Sequence, residues 1–144
     1  MTEFEQSVER YLFLNSTFFP QEKVSQIKDK LLSNESVFNR ARLMTLKDPN
    51  TLLLISVFVG QLGVDRFLIN KKATGALKLI FWLIAYVCMF ISFFVILNDA
   101  TKFIGWFLLS LYLVFLIVWV IDLCKIRNMT KEYNYSLIMN ILSI

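Results

Sequence analysis

The chain has 144 residues, 57% of them hydrophobic, with a mean hydropathy of +0.60 and a formal charge of +4. That apolar content exceeds the roughly 45–50% usual for water-soluble domains, and the basic residues form no face or run of the kind a nucleic-acid surface needs. With no histidine and only two cysteines, the commonest general base and metal ligand is missing and no disulfide framework can form.

In chain order, residues 1–47 read as three short amphipathic helices. Thr2 and Glu5 have the spacing of a capping box, and Phe4, Val8, Tyr11 and Leu12 follow at helical intervals. Asn15-Ser16-Thr17 breaks this helix, and Pro20 suits the first turn of the next, whose stripe is Val24, Ile27 and Leu31. Ser33 or Ser36 is expected to cap a third helix carrying Val37, Ala41 and Met44. Stripes this narrow must be buried against one another, a membrane surface or a partner. No short apolar core of a secretory signal occurs in these 47 residues, so no cleaved targeting segment is expected.

Asp48-Pro49-Asn50 is a helix stop. Residues 48–124 then form the expected membrane domain, with apolar segments at 51–69, 75–97 and 103–123. The first is short, because its apolar run from Thr51 to Val64 covers about 21 Å at about 1.5 Å per residue, against a hydrocarbon core of roughly 30 Å. It crosses only if Phe67-Leu68-Ile69 are included and Arg66 snorkels; otherwise it is tilted or re-entrant. Asn70 to Thr74 is a polar turn. Lys78 stands near the start of the next span, where its amine is expected to reach water. Leu79–Leu97 and Phe103–Ile121 contain no charged residue and are long enough to span. Asn98 to Lys102 is expected to be a tight turn between them. Trp82 and Trp119 are placed near one interface and Trp106 near the other, as in an aromatic belt. Residues 125–144 form a tail that starts basic and ends with an apolar set suited to a short interfacial helix.

If the first segment does not cross, nearly all Lys and Arg lie on one side and only Lys102 on the other. This fits the positive-inside rule with both termini cytoplasmic in the cell membrane. Cys88 reads as a packing residue, and Cys124 as a less favoured lipid-attachment position. Asn-x-Ser/Thr triplets such as Asn15-Ser16-Thr17, Asn128-Met129-Thr130 and Asn134-Tyr135-Ser136 are common by chance and carry no weight.

The densest information is in Gly60-Gln61-Leu62-Gly63-Val64-Asp65-Arg66-Phe67. Two glycines three apart permit a sharp turn or a close helix approach. The adjacent acid and base need partners at membrane depth, and Asp122 is the candidate partner of Arg66, with Lys78 its rival. With Gly75, Lys78-Leu79 and Trp119-x-x-Asp122, this order of residues resembles the two-transmembrane (TM-2) domain family, marked by an Asp-Arg-Phe loop. Lys47-Asp48-Pro49 and Thr130 to Asn134 resemble flanks of bacterial members. Two features depart from the family pattern. Leu68 and Asn70 stand where a Tyr and a Gly are usual, although Asn tolerates a left-handed turn. The stretch Ile80–Val118 also replaces a short Gly-rich link, which lengthens the second half. The resemblance brings no catalytic residues to carry over.

The sequence therefore predicts an all-α integral membrane protein: a short N-terminal helical region, one short apolar segment, and a transmembrane helical hairpin. It is expected not to be an enzyme and to need neither cofactor nor metal. Its expected partners are the lipid bilayer and either further copies of itself or another membrane protein, with no nucleic acid. The leading functional expectation is a membrane-embedded structural or interaction module. The alternative is an oligomeric ion channel or small permeation unit using Asp65, Arg66, Lys78 and Asp122.

Overall fold

The computed structural model describes residues 2–97 and 101–141. Among these the chain is all-α. Its helices are α1 (Glu3–Leu14), α2 (Val24–Ser33), α3 (Glu35–Arg42), α4 (Pro49–Val59), α5 (Val64–Leu68), α6 (Lys72–Ile96) and α7 (Lys102–Ile141). Two of them, α6 and α7, are long and apolar enough to cross a membrane. The chain divides into two compact units, one of residues 1–52 with 127–144 and the other of residues 53–126. These bounds differ from the expected ones at 47 and 124, and the tail belongs with the N-terminal region instead of standing apart.

In the first unit, α1 opens with the expected capping box: the Glu5 amide donates to the Thr2 hydroxyl while the Thr2 amide donates to the Glu5 carboxylate. Ser16–Phe18 and Gln21–Lys23 are short 3₁₀ turns, with Pro20 immediately before the second. The cap of α3 corrects the expectation of Ser33 or Ser36. It is Asn34, whose side chain accepts from the Ser36 amide at 2.9 Å, since only Asn34 has the extended backbone a cap requires. The three stripes close on one another. Val8, Leu12, Phe19, Ile27, Leu31, Phe38 and Ala41 form a core together with Ile138 of α7. Tyr11 packs at its edge, with Phe4 and Phe38 edge-to-face, and partial burial raises its phenol pKa.

The tail differs from the interfacial helix expected for it. Nothing between Leu123 and Ile141 is Gly or Pro, so α7 continues without a break. In the first unit its residues Thr130, Asn134 and Ile138, one helical turn apart, are fully buried. Asn134 acts as a joint there. Its Oδ1 accepts from the Lys47 amide at 2.9 Å, and its Nδ2 donates to the carbonyls of Phe18 at 3.0 Å and Lys47 at 2.8 Å. Lys23–Glu132 and Gln26–Tyr135 contacts lie outside this joint.

The second unit inverts this pattern. Along α6 and the apolar half of α7 large side chains face outward, among them Leu83, Phe90 and Ile117, each at least 60% exposed. Backbone groups in the interior of a helix are satisfied within it, so lipid can cover such faces. The two helices meet through Trp82, Ala85 and Phe115, with Tyr112, Leu116 and Trp119 packed around them. Trp82 is only 2% exposed. It is thus a packing residue between the helices, whereas Trp106 is exposed. The expected turn at Asn98 to Lys102 falls partly outside the described residues; within them, Thr101 Oγ1 donates to the Val95 carbonyl at 3.1 Å.

Candidate functional site

The short apolar segment is broken by its glycines. After α4 comes a 3₁₀ turn, Gly60–Leu62, and then Gly63 at φ 75°, the left-handed region open to glycine. A Cβ on Gly63 would run into the backbone of Gly75, and one on Gly75 would lie 3.1 Å from the Phe67 ring. The pair thus lets the turn sit directly on the start of α6. Gly60 makes room of a different kind, since a Cβ there would lie 2.7 Å from the Ser56 hydroxyl. At the far end of α5, Asn70 adopts φ 58°, so the left-handed turn expected of it is present.

This geometry brings together all the residues singled out in the motif. Asp65, with no exposure, accepts from Ser56 Oγ at 2.8 Å and from Lys78 Nζ at 2.9 Å. Arg66 Nε stands 3.8 Å from the same carboxylate, while its Nη2 donates to Asp122 Oδ1. Lys78 also donates to Asp122 Oδ2. Arg66, Lys78 and the two carboxylates thus alternate in sign in one cluster, contributed by α5, α6 and α7. Both expected partners of Asp122 are realised at once. The amine of Lys78 corrects the expectation that it reaches water: it points into the cluster, with its side chain 12% exposed. Phe67 completes the motif by covering Gly75.

Ser56 was not singled out in the sequence, yet it is buried and bonds to Asp65. The available signal was its position as the lone hydroxyl inside the run Leu52–Val59. Two buried polar atoms, Asp65 Oδ1 and Trp119 Nε1, have no hydrogen-bond partner among the described residues. Such groups cost about 1–3 kcal/mol each.

Beside the cluster lies a groove of about 390 Å³. Arg66, Lys78, Thr74 and Asp122 form its polar part. Leu77, Phe81, Trp82, Val118 and Trp119 form its apolar part, where Phe81 and Phe115 stack edge-to-face at 4.3 Å. Among the described residues no three His, Cys, Asp or Glu side chains gather as metal ligands would. Chemically, the cluster neutralises four largely buried charges by pairing each with its opposite.

No match was found among curated proteins, nor among solved structures. Residues 45–97 match the TM2 domain family, a stretch that takes in Asp65-Arg66-Phe67, Gly75 and Lys78 and ends before Trp119 and Asp122.

Proposed function

We propose that this membrane protein is a structural and interaction module, not an enzyme, which works by assembling with further copies of itself or with another membrane protein. The observation behind this reading is that Asp65, Arg66, Lys78 and Asp122 pair with one another inside a single chain. Charges satisfied in this way hold helices in register, whereas a permeation path keeps its charges facing water. The outward apolar faces of α6 and α7 would then carry both lipid and partner contacts.

The proposal includes a topology in the cell membrane. Residues of α1 to α3 share a core with Ile138, and segments sharing a core occupy one side of a bilayer. Two crossings by α6 and α7, with α4 and α5 turning back, satisfy this requirement. The distribution of Lys and Arg favours the cytoplasmic side.

Native mass spectrometry of the full chain, extracted gently from its host membrane, tests the assembly. A fixed copy number, or a second polypeptide at fixed stoichiometry, is the expected result; a monomer at every protein concentration would overturn it. Conductance in planar bilayers that is lost in Asp122→Asn would favour the channel alternative instead.

A further inference from the structure

We propose that the groove between α6 and α7 binds an anionic phospholipid of the bilayer, with its phosphate at the polar end and one acyl chain along the aromatic wall. The groove is graded as an amphipathic ligand requires. Its polar end presents two cations, Arg66 and Lys78, and one carboxylate, Asp122. The second carboxylate, Asp65, lies fully buried on Lys78 and is not part of the lining. The lining thus shows an occupant two cations and one carboxylate, while the four-residue cluster as a whole is neutral. Net positive charge at this end comes from Lys71 and Lys72, exposed at the start of α6.

The apolar end is formed by Phe81, Trp82, Val118 and Trp119. It opens onto outward side chains such as Leu77, 66% exposed, and Val118, 45% exposed, which belong to helices long enough to span a membrane. An occupant reaching such a wall comes from the bilayer, and a volume of about 390 Å³ falls in the range of small-molecule sites. It accommodates a headgroup and the first part of a chain, with the rest of the lipid along the exposed helix faces.

Two of the three tryptophans line the groove, so fluorescence quenching reads its occupancy directly. In a Trp106→Phe background, the full chain is reconstituted into phosphatidylcholine vesicles carrying brominated phosphatidylglycerol or brominated phosphatidylcholine at equal mole fraction. Stronger quenching by phosphatidylglycerol is expected. Thr74→Glu places a carboxylate at the polar end, at an exposed position in the first turn of α6 where negative charge suits the helix. It should lower the preference about fivefold, whereas Thr74→Lys should maintain or raise it. Equal quenching by the two lipids, or an unchanged preference in Thr74→Glu, would overturn the proposal. So would removal of the excess quenching by inorganic phosphate, which would assign the site to a free ion. Tryptophans shielded from both lipids in a cross-linkable dimer would assign the groove to a second copy and equally overturn it.

Discussion

The two units of this chain are built with opposite polarity. The first buries Val8, Leu12, Ile27, Leu31 and Ile138 and keeps pairs such as Lys28–Glu9 at its surface, the arrangement that water enforces. The second buries Ser56, Asp65 and Arg66 and turns Leu83, Phe90 and Ile117 outward. Lipid tails are as apolar as these side chains, so no hydrophobic force drives α6 onto α7. Close glycine contacts, aromatic packing and charge pairs must do that instead. One chain thus uses two different sources of cohesion, and substitutions can separate them.

The largest effect is expected at Asp122. Asp122→Ala leaves Arg66 and Lys78 without their shared carboxylate and should cost about 3–5 kcal/mol, measured as lost thermal or denaturant stability in lipid-like micelles. Lys23→Ala, which removes an exposed pair with Glu132, should change nothing measurable. Equal melting of the two variants would mean that the cluster does not hold the second unit together.

Next comes a pair of apolar truncations. Ile27 is fully buried, so Ile27→Ala should cost about 2–5 kcal/mol and expose the amides of α1 to α3 to hydrogen exchange. Leu83→Ala removes a similar bulk from a residue 63% exposed and should leave exchange in a bilayer unchanged. If Leu83→Ala is equally damaging, α6 is covered by protein at that face, which would point to an interface between copies.

At Gly63, the left-handed backbone alone makes Gly63→Ala cost about 1–2 kcal/mol, and the collision with the Gly75 backbone adds to this. Asn70→Gly, at the other left-handed position, should be close to neutral. Differential scanning of the two variants side by side isolates the close approach from the turn itself.

The smallest effect belongs to the first unit. Asp48 accepts from the Thr51 hydroxyl at 2.8 Å and the Asn50 amide at 3.0 Å, and these bonds hold its carboxyl below the usual range. Because the folded pKa is lowered, the contribution is complete above the ordinary aspartate value of about 4. It is lost as pH falls through the lowered one. Asp48→Ala should cost about 0.5–2 kcal/mol at neutral pH and nothing further in strong acid, which a pH series of melting curves would show.

Much of this was legible in the residues because the signals were local. The Thr2–Glu5 box, the two uncharged spans and the left-handed Asn70 each depend on neighbours within a few positions. The charge cluster was partly legible: unpaired charges at membrane depth demand partners, which pointed to Asp122 and Lys78, but not to both at once or to Ser56. The tail was misread because Asp122, Lys125 and Arg127 look like the end of a span, while the reason for α7 to continue lies in a distant core. Asn134 shows the same limit. In sequence it belonged to an uninformative triplet and to a flank of the family resemblance, neither of which shows a bonding role; in the fold it bonds to Phe18 and Lys47. The spacing of Thr130, Asn134 and Ile138 was visible, but nothing local showed what would cover it.

The joint at Asn134 also has a consequence for the order of synthesis. Its bond to Phe18 links positions 116 residues apart, so α1 to α3 leave the ribosome long before the residue that completes their core exists. That core closes only after both long apolar helices have been made. In the proposed two-crossing topology, a chain with one crossing too few would leave Asn134 and Ile138 across the bilayer from their sites and the core of α1 to α3 incomplete.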